Sequence, residues 1–109
     1  MQKIYIAGKI TGDQGYKAKF GDAAGHLRRM GYSVMNPAAL PDGFDYEDYM
    51  HVCTAMIDVC EGIVLLPDWN ESNGAKFEYG HAAATGKKIL TFMQAIDPDP
   101  CEDDEEDAQ

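Results

Sequence analysis

At 109 residues the chain is long enough for one domain with a real core and too short for two. Its apolar fraction of 45% is ordinary for a globular protein, and no run approaches the roughly 20 apolar residues of a membrane span. Of the net charge of −10, eight acidic groups and no basic ones fall in residues 97–109, which leaves residues 1–96 with eleven acidic against nine basic side chains and no basic stripe to suit a nucleic-acid polymer.

Lys3-Ile4-Tyr5-Ile6-Ala7 reads as a first buried strand, broken by the loop Gly8-Lys9-Ile10-Thr11-Gly12. A buried phenol needs a partner, so Tyr5 must find a backbone carbonyl or point toward a polar pocket. The loop glycines can bring backbone close to a ligand, but their spacing fits neither a dinucleotide fingerprint nor a Walker loop. Residues 16–30 read as a helix with Phe20, Ala23, Ala24, Leu27 and Met30 on one face and Lys17, Lys19, Arg28 and Arg29 mostly outside. Gly31 ends it, and Tyr32 to Met35 form a second strand that stops at Asn36-Pro37. After a loop holding Pro41 and Asp42-Gly43, residues 46–59 form a second helix with Met50, Cys53, Ile57 and Cys60 as its apolar stripe.

Ile63-Val64-Leu65-Leu66 is too short for a helix and reads as a third strand, followed by the polar loop Pro67-Asp68-Trp69-Asn70-Glu71. Ser72 stands at a helix N-cap, with Ala75, Tyr79, Ala82 and Ala83 as the expected inward stripe and Gly86 as the stop. Ile89-Leu90-Thr91-Phe92 is a fourth strand. Strands alternating with helices imply an α/β fold. The expectation is a small doubly wound parallel sheet, flavodoxin-like or Rossmann-like, in strand order 2-1-3-4 with helices on both faces. Its switch point lies between strands 1 and 3. There the Gly8–Gly12 and Pro67–Asn73 loops meet, bringing together Tyr5, Lys9, Thr11, Asp68, Ser72 and Glu78. The free N–H groups near Ser72, Asn73 and Gly74 make a ready anion site. Glu78, on the next turn, is not needed for helix stability.

The run Ile4-Tyr5-Ile6-Ala7-Gly8, with Ser72-Asn73-Gly74-Ala75-Lys76-Phe77-Glu78-Tyr79-Gly80-His81-Ala82 and Gly86-Lys87-Lys88, resembles the nucleoside 2-deoxyribosyltransferase superfamily. That superfamily includes deoxynucleoside 5′-monophosphate N-glycosidases, and the chain is most like its short phage and bacterial members. The similarity runs from residue 3 to about residue 92. The resemblance implies that Glu78 is the nucleophile and that Tyr5 orients it. It also implies that Gly8, Lys9, Thr11, Asp68, Ser72, Asn73 and Gly74 bind substrate or its phosphate. One departure stands out. The second-helix aspartate that helps protonate the leaving base in the family falls here at Cys53 or Thr54, and neither Asp48 nor Asp58 replaces it cleanly.

The implied reaction is displacement at C1′ of a 2-deoxyribosyl group through a glycosyl-glutamate ester, resolved by water or by a second base. The rival is a non-catalytic pocket that binds or sequesters a nucleotide-derived ligand. Each residue also has a plainer role. Glu78 can be a solvent-facing residue paired with Lys76 or His81, Tyr5 a satisfied core tyrosine, Ser72 an N-cap, and Lys9 a surface lysine. Trp69 can line a base pocket or an oligomer contact, and Asn36-Pro37 can wall the base site or merely end a strand. His26, His51 and His81 sit on three different helices, and the cysteines lack zinc-ligand spacing, so no metal and no cofactor are expected. The three cysteines, Cys53, Cys60 and Cys101, read as reduced thiols in a cytoplasmic protein without a signal peptide. Residues 1–96 form the expected domain, and residues 97–109 an acidic, disordered tail. A homodimer or larger homo-oligomer is expected, with Tyr46, Tyr49 and Met50 as its apolar patch.

Overall fold

The computed structural model of the chain describes residues 2–97. The predicted acidic tail, Cys101 included, lies outside the described residues except for Asp97. In chain order the elements are β1 (Lys3–Ala7), α1 (Tyr16–Arg29), β2 (Ser33–Met35), α2 (Tyr46–Asp58), β3 (Gly62–Leu65), α3 (Asn73–Ala84), β4 (Lys88–Thr91) and α4 (Phe92–Ile96). Single 3-10 turns occupy Pro37–Ala39 and Trp69–Glu71. The four strands form one parallel sheet in the order β2-β1-β3-β4. This is the order that alternating strands and helices predict.

Handedness explains the layers. The chain steps one way from β1 to β2 and the other way from β2 through β3 to β4, and right-handed crossovers then put α1 on one face and α2 and α3 on the other. Side chains alternate along each strand, so each face receives its own core. Ile4, Ile6, Val64 and Leu66 join Phe20, Ala24 and Leu27 of α1 and Ala95 of α4. Tyr5, Ala7, Ile63 and Leu65 join Cys53 and Ile57 of α2 and Ala75 and Ala82 of α3. Both helix-ending glycines, Gly31 and Gly86, take the positive φ that a left-handed stop requires.

Three details depart from the sequence reading. Phe92 is the first residue of α4 rather than the end of a strand. Thr91 and Gln94 form a capping box there, with the Gln94 N–H donating to Thr91 Oγ1 at 3.1 Å and the Thr91 N–H donating to Gln94 Oε1 at 2.9 Å. Met30 is exposed rather than inward on α1. On α3 the inward stripe is Ala75, Glu78 and Ala82, whereas Tyr79 and Ala83 face outward. The rings of Trp69 and Tyr79 pack at 4.9 Å between centroids, which holds Tyr79 off the core side. A carboxylate therefore occupies a core position of the helix. Among the described residues no helix is long and apolar enough to cross a membrane.

Candidate active site

Between β1 and β3 the chain departs in opposite directions, and the two loops leaving those strands part to open a crevice. A cavity of about 580 Å³ lies there, within the size range of small-molecule sites. Gly8, Ile10, Thr11 and Tyr16 line it from the β1–α1 side. Pro37, Leu40 and Asp42 wall it from the connection after β2, and Tyr46, Tyr49, Met50 and Cys53 from α2. The opposite wall is Glu71 with Ser72, Asn73, Gly74, Ala75 and Glu78 at the start of α3.

The inward position on α3 sends the Glu78 side chain into the protein, where it is only 7% exposed. Tyr5, fully buried on the central strand, donates its hydroxyl to Glu78 Oε2 at 2.8 Å. Cys53 of α2 is buried in the same core cluster as Tyr5 and lines the cavity with Glu78. Burial pushes the Glu78 carboxyl up to about 7, and the hydrogen bonds from Tyr5 and Cys53 pull against that rise. Burial, with the Glu78 charge beside it, holds the Tyr5 phenol well above its ordinary range. Cys53 is pushed up to about 11, again chiefly by burial, so it is a neutral thiol. The group is one titratable carboxylate held by the Tyr5 hydroxyl beside a neutral thiol, with its pKa near neutrality where proton and ionised form are both accessible.

Ser72 caps α3, its Oγ accepting the Ala75 N–H at 3.1 Å. The first-turn N–H groups of a helix have no partner inside it, and Asn73 and Gly74, which carry two of them, line the cavity. Gly8 packs where a side chain cannot follow, since a Cβ there would lie 2.9 Å from Leu66 Cδ1 and 3.2 Å from Asp68 Oδ1.

Lys9 and Asp68 are not brought into this lining. Asp68 Oδ1 accepts the Lys9 N–H at 3.1 Å, and its Oδ2 meets Lys19 Nζ at 2.5 Å. Lys19 also donates to Asp13 Oδ2 at 2.6 Å and to the Lys9 carbonyl at 2.8 Å. Partial burial opposes the Lys19 charge, but these carboxylate hydrogen bonds outweigh it and raise its pKa. Asp68 thus fastens the two loops to α1, and Lys19, read from sequence as an outward residue, is the bolt. The Lys9 ammonium reaches Glu71 Oε1 at 3.7 Å.

Neither neighbouring aspartate substitutes for a carboxylate beside Glu78. Asp48 Oδ2 accepts the Asp45 N–H at the start of α2, and Asp58 Oδ1 lies 2.7 Å from His81 Nε2 at the far end. Cys53 holds the place facing Glu78. The sequence reading missed Tyr16, Leu40 and Asp42 as lining residues, and Tyr46, Tyr49 and Met50, which it offered as an oligomer patch, also line the cavity. The Tyr49 hydroxyl donates to the Pro41 carbonyl at 2.6 Å and accepts the Phe44 N–H at 3.3 Å, folding the Pro41–Phe44 loop over the site. The only signal for this was a Pro-Asp-Gly turn beside a tyrosine-rich helix start. Trp69 packs on Tyr79 rather than lining the cavity, while Pro37 does wall it.

The family described as "Domain of unknown function (DUF4406)" matches residues 2–91. The chain belongs to it. Two solved structures share the fold of this DUF4406 chain. One is the CMP N-glycosidase BcmB of Clostridium botulinum, at TM-score 0.63 and 22% identity, with 83% of this chain and 70% of that one covered. The other is a 2-deoxyribosyltransferase from Leishmania mexicana, at TM-score 0.66 and 24% identity. That match covers 84% of this chain but only 63% of the Leishmania enzyme's length. No curated protein matches the sequence.

Proposed function

We propose that this protein cleaves or transfers the N-glycosidic bond of a small 2′-deoxynucleoside or its 5′-monophosphate, with Glu78 as the attacking group. The single observation that carries the reading is the buried Glu78 carboxylate, held by the Tyr5 hydroxyl at 2.8 Å on the wall of the cavity. Structural placement alone gives no reason to bury a carboxylate on a helix face otherwise made of alanines, because an unpaired charge there costs stability. Two of the solved structures that share this fold, named as a CMP N-glycosidase and a 2-desoxiribosyltransferase, point the same way.

In this reading the ionised Glu78 oxygen bonds to C1′ as the C1′–N bond breaks, and the bonding pair leaves with the base. The Tyr5 hydrogen bond fixes which oxygen attacks. With a thiol rather than a carboxylic acid beside Glu78, the base leaves as its anion and takes up the proton that the attacking water releases in the next step. Water then attacks C1′ of the ester, releasing 2-deoxyribose and the carboxylate. A second base in place of water makes the same step a transfer.

Cys53 also favours a second reading. With a thiol where an acid would assist the leaving base, the cavity can bind a nucleoside-derived ligand without turning it over. Incubation with a panel of deoxynucleosides and their monophosphates, followed by chromatography for free base, separates the two. Release of base supports the enzyme. Saturable binding without release, unchanged in Glu78→Ala, supports the binder.

A further inference from the structure

Attack at C1′ is half of a glycosidic cleavage, and departure of the base is the other half. The electron pair of the C1′–N bond goes to the ring nitrogen, and a proton delivered there in the same step lowers the barrier for any base. Among the described residues, no histidine, lysine or arginine lines the cavity. Its carboxyls other than Glu78 are Asp42 and Glu71, both more than half exposed and both ion-paired, Asp42 Oδ2 at 3.4 Å from Lys17 Nζ and Glu71 Oε1 at 3.7 Å from Lys9 Nζ. A carboxylate so paired accepts hydrogen bonds and donates none.

The other O–H and S–H groups offer little more. The Tyr5 hydroxyl is committed to Glu78 Oε2 at 2.8 Å, and the Tyr49 hydroxyl to the Pro41 carbonyl at 2.6 Å. Thr54, beside Cys53 on α2, turns its Oγ1 back to the His51 carbonyl at 2.9 Å. Cys53 is the residue of that pair that lines the cavity with Glu78, and it is buried. As classes, thiols, phenols and alcohols are weaker acids than a carboxylic acid by about four pK units or more. The burden of leaving therefore falls on the base, and the stability of its anion is set by the acidity of its own N–H.

We propose that the substrates of this site are deoxynucleosides or deoxynucleotides whose base is electron-poor enough to leave as a stable anion, so that the acidity of the free base sets the rate. The inference rests on the reading of Glu78 as nucleophile. In the first step a Glu78 oxygen bonds to C1′, the C1′–N bond breaks, and the base carries off the electron pair. In the second, water bonds to C1′, the ester bond breaks, the carboxylate is restored, and the proton lost by water neutralises the base.

The experiment measures kcat/KM of the full-length protein on pairs that differ by one ring fluorine, a substituent close to hydrogen in size. The pairs are 2′-deoxyuridine and 2′-deoxycytidine with and without fluorine at C5, and 2′-deoxyadenosine with and without fluorine at C2, each as nucleoside and as 5′-monophosphate. In every pair that reacts, the fluorinated member is expected to release its base at least about fivefold faster. Cys53→Asp, which sets a carboxyl beside Glu78, should speed the unsubstituted member and narrow the gap. Cys53→Ala should leave the gap as it was, whatever it does to the rate itself. Equal rates within a reacting pair would overturn the inference and leave the glycosidic reading standing. A gap that widens in Cys53→Ala would overturn it too, since the thiol would then be supplying a proton. Release of no base from any member would remove both readings.

Discussion

The two faces of the sheet are built by the same rule and serve different ends. Strand β1 sends Ile4 and Ile6 to the α1 and α4 side, where they meet Phe20 and Leu27 in a core of apolar side chains. One residue out of phase, it sends Tyr5 and Ala7 to the α2 and α3 side, where the packing contains a phenol, a thiol and a carboxylate. The first face contributes apolar burial. The second gives up part of its apolar burial to hold a polar group that its own packing does not require. A strand's period of two is enough to keep these roles apart, and substitutions on the two faces should have different signatures.

The largest expected effect is on the polar face and on activity alone. Glu78→Gln keeps the side chain's shape and its acceptor for Tyr5 but removes the nucleophile, so base release should fall by at least about 10³-fold with the fold intact by circular dichroism. The apolar face should respond the opposite way. Phe20, fully buried among α1 and β1, should cost about 3–5 kcal/mol on Phe20→Ala in urea unfolding, while activity per folded molecule stays near wild type. A Phe20 variant that folds normally but loses activity would erase the distinction between the faces.

The pH dependence of stability sharpens it further. The folded protein keeps the Glu78 proton until about pH 7, whereas the ordinary carboxyl value is 4.5. Between those values the folded state binds more protons than the unfolded one, so this group makes stability fall as pH rises. The full penalty, roughly 3 kcal/mol, is present above the folded value and absent below the unfolded one. Glu78→Gln should therefore gain stability over wild type between pH 4 and pH 8 by an amount of that order, read from denaturant midpoints at the two pH values. A difference that does not change with pH would mean that the carboxylate is not buried as described.

Tyr5→Phe keeps the ring and loses one charge-assisted hydrogen bond, a change of roughly 1.5–3 kcal/mol for the ionised carboxylate. Its activity should fall about tenfold to a hundredfold at pH 7. The midpoint of the pH–rate profile should move upward, because a donor that favours the ionised form is gone. A lowered rate with an unmoved midpoint would assign Tyr5 to packing alone. The smallest effect is expected from Ser72→Ala, which removes the α3 cap and should cost about 1 kcal/mol with the pH profile unchanged.

The topology was legible because it needs only the order of apolar runs and the handedness of their crossovers; Tyr5 was legible as a phenol in an otherwise apolar strand, and Glu78 as a carboxylate that its helix does not need and that the family resemblance singled out. The α3 stripe was misread for a physical reason. Apolarity alone prefers Tyr79 to Glu78 as an inward residue, whereas in the fold Tyr79 packs on Trp69, ten residues earlier, and Glu78 meets Tyr5, contacts that no periodic pattern shows. Lys9 and Asp68 looked available because sequence does not show that Lys19 gathers Asp13, Asp68 and the Lys9 carbonyl into one knot. The wall formed by Asp42, Tyr46 and Tyr49 depends on an irregular loop folded back by the Tyr49 hydroxyl, and no periodic pattern encodes that.

Whether Glu78 forms a bond to the sugar is measured most directly by acid-quenching the protein during incubation with a 2′-deoxynucleoside and mapping its peptides by mass spectrometry. The account predicts a deoxyribosyl ester on the peptide containing Glu78, present in the native protein and absent from Glu78→Gln. Base release that proceeds undiminished in Glu78→Gln, with no adduct on that peptide, would contradict it.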